Sequence, residues 1–143
     1  MIEIPAHIEA QMIGHSMAGL PNEACGLLAG RDGRVEHFYA IRNEDQSPKT
    51  YRLDGREHLL AEQDMDERGW RVVGVFHSHT ESEAYPSPTD RRRAFWPDPE
   101  TGGLIHPEAR YVIASLKDRE RPVLRAFRIK DDQSVEEQEV RIV

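Results

Sequence analysis

The chain has 143 residues, a single cysteine and a formal net charge of −7 at pH 7. This length suits one domain with one sizeable core; the lone cysteine excludes an internal disulfide and a thiolate-rich zinc site, and the acidic excess disfavours nucleic acid and anionic membranes as partners. Because no apolar run approaches the roughly 18 residues of a membrane span and no secretory leader is visible, we expect a soluble, cytoplasmic protein.

The first half of the chain predicts two helices and three strands. In chain order these are a helix over 6–18, a buried strand over 23–30, a strand over 34–43, a brief strand at "TYRLD" (50–54) and a polar helix over 55–68. Apolar residues at helical spacing define the first helix, and the Gly19-Leu20-Pro21 step ends it. The two longer strands are predicted to pair as a hairpin, and Gly69 closes the second helix.

The second half is dominated by strands. In chain order we predict a strand over 70–79, a helix from Pro88 to about Trp96, a loop over 97–107, and strands over 110–116, 123–130 and 134–143. The first of these strands is β-branched and aromatic with apolar residues on both faces, as a central strand requires. Together, the predicted helices and strands indicate a single α/β domain over residues 1–143, in which a mixed sheet packs against a few helices.

Two histidines end the predicted central strand. Side chains alternate along a strand, so His77 and His79 project to one side while Ser78 projects to the other. Catalytic zinc takes three protein ligands and leaves the fourth position to water. Asp90, at the start of the next predicted helix, is the natural third ligand. The pattern favours a His₂-carboxylate zinc site.

Helix capping is the alternative explanation for part of this pattern. Ser87 suits the N-cap, Pro88 the first helical position and Asp90 the third, which together make a capping box. Capping does not explain two imidazoles on one face of a core strand. The two roles are compatible, because Ser87 can cap the helix and still face a reacting carbonyl.

Other candidate residues are less well defined by the sequence. A zinc site for hydrolysis needs a proton acceptor, and Glu23, Glu81 and Glu83 are all plausible, because spacing does not choose among them. Cys25 is expected to be a core residue. The remaining histidines lack spacing partners and are interpreted as structural: His7, His15, His37, His58 and His106.

The residues Glu23, His77-Ser78-His79, Ser87 and Asp90, with seven residues between His79 and Ser87, resemble the JAMM motif of the MPN-domain (Mov34/PAD-type) metalloproteases. Blocks at "PNEACGLLAG", "SPKTYRLD" and "HSHTESEAYPSPTD" resemble the compact bacterial branch, which includes hydrolases of small ubiquitin-like sulfur-carrier proteins.

The resemblance implies a fold, a metal and roles for the site residues. It implies a cytidine-deaminase-like α/β fold with Zn²⁺ held by His77, His79 and Asp90. Glu23 is implied to polarise the zinc-bound water and pass its proton to the leaving amine, and Ser87 to help hold the oxyanion. The implied activity is zinc-dependent hydrolysis of an amide bond at or beyond the C-terminal tail of a ubiquitin-like or sulfur-carrier protein, releasing cysteine or a short extension.

Chain length bears on the substrate. The eukaryotic relatives that cleave ubiquitin chains carry longer insertions, for which 143 residues leave little room. We therefore expect an extended tail bound along a sheet edge, with the loop 97–107 shaping the groove.

The sequence leaves two alternative functions to consider. A non-catalytic MPN-type scaffold that binds partners is the first alternative, although such scaffolds commonly lack one or more of the ligands. A zinc deaminase shares the implied fold but needs a Pro-Cys-x-x-Cys pattern, which a chain with one cysteine cannot supply.

Overall fold

The computed structural model describes the whole chain, residues 1–143, as a mixed α/β structure. The helices are α1 (Ala6–Gly19), α2 (Gly55–Arg68) and α3 (Pro88–Arg93). The strands are β1 (Ile2–Ile4), β2 (Cys25–Arg31), β3 (Arg34–Ile41), β4 (Arg71–His79), β5 (Phe95–Trp96), β6 (Gly103–Leu104), β7 (Arg110–Ser115), β8 (Val123–Ile129), β9 (Val135–Gln138) and β10 (Val140–Ile142). The expected fold class is confirmed.

Eight strands form one sheet, in the order β10-β1-β3-β2-β4-β7-β8-β9. The predicted hairpin is present as the antiparallel pair β2–β3. Strand β4 is central: it runs antiparallel to β2 and parallel to β7, and the residues from Val73 to its C-terminal end are buried. Pairing on both edges fixes the end of β4, where the two histidines lie.

Helices cover both faces of the sheet. One core cluster joins α1, through Ile8 and Met12, to residues such as Phe76 on β4. The other joins α2, through Ala61 and Met65, to the opposite face. Because alternation along β4 sends His77 and His79 to the α2 side, the candidate ligands lie on that face.

The helix boundaries follow local chemistry. The Asp54 side chain accepts a hydrogen bond of 3.0 Å from the backbone N–H of Glu57, which caps the start of α2. Gly69 ends the helix in the left-handed conformation, with φ of 72°, which a residue without a β-carbon adopts readily. No helix combines the length and the apolar character that crossing a membrane requires.

Four sequence-based predictions are wrong in detail. Residues 50–54 form no strand and contribute only an isolated bridge between Leu53 and Asn43. Helix α3 ends at Arg93, because the chain then extends into β5. The loop 97–107 contains β6, which pairs with β5. The last predicted strand divides at Glu139 into β9 and β10, which lie at opposite edges of the sheet.

Strand β1 was not predicted from the sequence. Ile4 fits the helical spacing of the residues that follow it, yet Ile2 and Ile4 are fully buried in a strand between β10 and β3. Pairing with the distant C-terminal segment decides this conformation.

Candidate active site

Three side chains from β4 and α3 converge in the buried interior. Nε2 of His77 lies 3.1 Å from Nε2 of His79, and each of these nitrogens lies 3.1 Å from Oδ2 of Asp90. All three residues are buried. The strand therefore presents both imidazoles to one side, as expected, while Ser78 turns away and its Oγ accepts a hydrogen bond of 2.9 Å from the backbone N–H of Ala24.

The capping box predicted at the start of α3 is also present. Ser87 Oγ accepts a hydrogen bond of 3.0 Å from the backbone N–H of Asp90, and Asp90 Oδ2 accepts one of 2.9 Å from the backbone N–H of Ser87. The same Oδ2 atom faces the two histidines. Capping thus orients the carboxylate toward the imidazoles, so the capping box and the convergence on the histidines share one oxygen atom.

A backbone carbonyl orients His79, and an aromatic ring packs against His77. Nδ1 of His79 lies 2.6 Å from the carbonyl oxygen of Glu83, and since a carbonyl only accepts, Nδ1 carries a proton, which leaves Nε2 as the nitrogen that could bind a metal. The His77 ring stacks on Tyr51, with centroids 4.2 Å apart and planes 17° from parallel.

A link between Tyr51 and α3 supports this geometry, and sequence reasoning missed it. Nη1 of Arg93 donates to the Tyr51 carbonyl at 2.9 Å and to the Asp45 carboxylate. The ring beneath His77 and the helix that carries Asp90 are thereby tied together. Three successive arginines gave no signal of this role in the sequence.

Glu23 is the buried carboxylate near this centre. It is 4% exposed, and its Oε1 has no hydrogen-bond partner. Burial raises its pKa to about 8, against the opposing effect of His79. Glu81 and Glu83 are exposed, so the structure singles out Glu23 among the three carboxylates that the sequence left open.

The surroundings shift the pKa values of the three ligand candidates in different directions. Burial lowers the pKa of His77, which is therefore neutral near pH 7. Burial also opposes the charged form of His79, but hydrogen bonds to Asp90 and Glu83 raise its pKa overall. Burial acts to raise the pKa of Asp90, but the neighbouring histidines hold it far below its ordinary value. Asp90 is thus a carboxylate.

The donor set fits a zinc ion. Donors bonded to one tetrahedral zinc at about 2.0–2.2 Å lie roughly 3.3 Å from one another, close to the observed 3.1 Å. Two imidazole lone pairs and a carboxylate oxygen would repel one another at this distance unless a cation or a proton lay among them. The orphaned Oε1 of Glu23 adds a further acceptor without a partner.

A cleft of about 540 Å³ opens at the candidate site, and His79 forms part of its wall. Glu23, His79 and Ser87 line it together with two exposed cations, Lys49 and Arg119. The exposed carboxylate of Glu81 lines it too, so the cleft presents carboxylates, an imidazole, a hydroxyl and two cations to the same space.

Cys25 lies outside this constellation, as expected. It is fully buried in the core, its thiol contacts the carbonyl oxygen of Ile41 at 3.4 Å, and burial raises its pKa to about 12. A thiol in that state is a poor nucleophile.

Comparison with known sequences gives one family and several named relatives. A profile of the family described as prokaryotic homologs of the JAB domain matches residues 5–130. The CysO-cysteine peptidase of Mycobacterium tuberculosis is 38% identical over 139 residues, which cover 96% of this chain and 88% of that protein. The desampylase of Haloferax volcanii is 35% identical over 103 residues, or 67% of this chain and 74% of that one.

Solved structures agree with these matches. The solution structure of a Desulfitobacterium hafniense protein superposes with a TM-score of 0.84 at 41% identity, over 100% of this chain and 93% of that one. A JAB1/MPN domain protein from Archaeoglobus fulgidus superposes with a TM-score of 0.61 at 16% identity, over 99% and 97% of the two chains, and this likeness concerns the fold alone.

Proposed function

Because this chain belongs to the family of prokaryotic homologs of the JAB domain, we propose that it is a zinc-dependent metallopeptidase or isopeptidase of the JAMM type. Its substrate is a ubiquitin-like or sulfur-carrier protein, from whose C-terminal tail it hydrolyses an amide bond to release cysteine or a short extension. The single observation that carries the proposal is the convergence of His77, His79 and Asp90 beside a buried Glu23.

The three converging side chains are proposed to hold zinc. When bound, zinc supplies a Lewis acid that brings the pKa of water to about 7 and polarises a carbonyl. Asp90 and His79 are held in place by the helix cap and by the Glu83 carbonyl. These surrounding hydrogen bonds are the kind that orient metal ligands in proteins.

Glu23 is proposed to be the general base. Its carboxylate accepts a proton from the attacking water and later gives that proton to the leaving amine. A shuttle of this kind works best when its pKa lies near the working pH, and burial brings the pKa of Glu23 up to about 8. A cation held by His79 and Asp90 would favour the ionised form.

Ser87 is proposed to stabilise the oxyanion. Its Oγ accepts the hydrogen bond from Asp90 in the helix cap, and its own hydroxyl proton remains free to donate. Ser87 faces the same cleft as Glu23 and His79. A donor aimed at the developing negative charge stabilises the tetrahedral intermediate.

The proposed substrate class rests on the relatives and on the cleft. The two named relatives are a CysO-cysteine peptidase and a desampylase, and hydrolysis is the activity that their names share. The cations Lys49 and Arg119 at the cleft suit the free carboxylate of a C-terminal cysteine or short extension. The unpaired edges of the β5–β6 ribbon, which follows α3, would allow an extended tail to pair with the backbone.

Mass spectrometry tests this proposal directly. Zinc-loaded protein would be incubated with candidate carrier proteins that bear a C-terminal cysteine or short extension, and their masses read before and after. We expect each cleaved carrier protein to lose the mass of its extension, and we expect the shortened carrier to be recovered. Unchanged masses with every such substrate, while zinc is bound, would instead support the alternative of a non-catalytic MPN-type scaffold.

A further inference from the structure

A second cluster of metal-binding residue types lies outside the candidate active site. His58 and Glu62 are one turn apart on α2, and His106 lies in the segment between β6 and β7. Nε2 of His58 is 2.9 Å from Oε2 of Glu62, and the rings of His58 and His106 have centroids 5.5 Å apart. One ligand atom from each residue lies within 4.8 Å of the others. These two histidines lack spacing partners in the sequence, but the fold makes them neighbours.

The nitrogen atoms of this cluster lack ordinary partners. Nε2 of His58 and Nε2 of His106 are both shielded from solvent, and neither makes a hydrogen bond. Nε2 of His58 lies at ion-pair distance, 2.9 Å, from Oε2 of Glu62, but this contact does not have the angles of a hydrogen bond. Buried polar atoms are nearly always satisfied in native proteins, so two unpartnered imidazole nitrogens beside one carboxylate point to a missing ligand.

The charge state of the cluster suits a cation. Burial lowers the pKa of His106, in spite of the nearby Glu62 carboxylate, so the ring is neutral near pH 7 and its lone pair is available. Glu62 is partly exposed and supplies the negative charge. A cleft of about 370 Å³ lined by Glu62 and His106 leaves room for water as a further ligand.

We propose that His58, Glu62 and His106 bind a second divalent transition-metal ion, with zinc as the ion that suits two imidazoles and a carboxylate. This site shares no residue with the triad of His77, His79 and Asp90. His106 lies 44 positions after Glu62 in the sequence, which explains why spacing alone did not reveal the cluster.

The second ion would add a link between α2 and the segment that carries the β5–β6 ribbon. Helix α2 packs on the sheet, whereas His106 closes the segment that carries the β5–β6 ribbon. One backbone hydrogen bond of 2.9 Å, from Ile105 to the Ala94 carbonyl, ties this segment to the end of α3. A metal at the cluster would hold the segment against α2 and fix the position of the ribbon.

Zinc stoichiometry is the direct test. Metal-free full-length protein would be titrated with Zn²⁺ by calorimetry and assayed for bound metal after gel filtration. We expect two equivalents for the natural chain and one each for His106→Ala and Asp90→Asn. The double variant should bind none. His7→Ala, which alters an exposed histidine on α1, is the matched control and should bind two.

Ligand spectra and folding controls complete the test. In the Asp90→Asn variant, zinc addition should shift the ring signals of His58 and His106 in NMR spectra. Adding His106→Ala to this variant should weaken zinc binding by more than about tenfold, because even residues that only orient a metal ligand contribute that much to metal affinity. Two observations establish that His106→Ala is folded: an unchanged circular dichroism spectrum, and one equivalent of zinc still bound at the triad. One equivalent in the natural chain, unchanged by His106→Ala and abolished by Asp90→Asn, would overturn the proposal without affecting the proposed hydrolase.

Discussion

At the scale of single residues, Glu23 shows how the fold distinguishes carboxylates that spacing cannot. Three glutamates near the motif were equivalent in the sequence, and only the resemblance to a known family favoured Glu23. In the structure it alone among them is buried, with an unpartnered Oε1 beside the triad. Burial is a tertiary property, which explains why residue type and spacing left the choice open.

Replacing Glu23 by glutamine should separate catalysis from metal binding. Glu23→Gln keeps the size of the side chain but cannot accept the proton, so we expect turnover to fall by about 10²- to 10⁴-fold with zinc content unchanged. Glu83→Gln, an exposed carboxylate, is the control and should retain turnover. Normal activity of Glu23→Gln would refute its assignment as the base.

Proton release on zinc binding should report the pKa of Glu23. With a pKa of about 8 in the metal-free protein, Glu23 is mostly protonated at pH 7, and a nearby cation lowers its pKa and expels the proton. At pH 7 the natural chain should therefore release up to about one proton more per zinc than Glu23→Gln, whereas at pH 9 the difference should vanish.

Calorimetry at each pH, in buffers with different ionisation enthalpies, measures this release. Equal release by both proteins at pH 7 would mean that Glu23 is already ionised before zinc binds.

At the scale of elements, strong local patterns were predictable and distant pairings were not. The periodicity of α1, the glycine that closes α2 and the apolar β4 gave correct elements. Strand β1 depends on the C-terminal β10, and the β5–β6 ribbon is held by contacts between residues 94–96 and 102–105. Such segments are too short for a periodic signal, so their partners decide their structure.

Helix α3 joins capping to the site, which makes Ser87 informative. Ser87→Ala should lose both functions: about 1 kcal/mol of stability from the cap and turnover from the missing donor. Ser87→Asp restores a good N-cap but no hydroxyl donor, and it adds negative charge where an oxyanion forms. We expect Ser87→Asp to recover stability in urea unfolding while turnover stays low. Recovered turnover would show that Ser87 acts only through the helix.

At the scale of the whole molecule, zinc should stabilise the folded chain. An ion bound only by the folded state adds about 2.7 kcal/mol to the free energy of unfolding when its free concentration is 100 times its Kd. For a domain of this size, that corresponds to a rise in Tm of roughly 5–10 °C. We expect the Tm to rise with zinc and to fall again with a chelator. Zinc should raise the Tm of Asp90→Asn by a smaller amount, and it should not raise the Tm of the variant in which His106 is also replaced. If zinc raised the Tm of this double variant as much as that of the natural chain, zinc would bind elsewhere.

The distribution of charge over the whole molecule bears on the substrate. The chain carries a net charge of −7, yet Lys49 and Arg119 lie at the cleft that contains Glu23 and Ser87. A cation near the site attracts a negatively charged group, here against the repulsion of Glu81 in the same lining, and salt screens that attraction. If the leaving group carries a free carboxylate, Arg119→Ala should raise KM several-fold at low salt and change kcat little.

Steady-state kinetics at low and high salt, on a carrier extended by one cysteine, measure this effect of Arg119→Ala. The exposed Arg121 lies outside the cleft, and Arg121→Ala should behave as the natural chain does. Amidation of the terminal carboxylate should raise KM for the natural chain and remove the difference from Arg119→Ala. If amidation leaves that difference intact, Arg119 contacts another part of the substrate, and the carboxylate is not what the cleft recognises.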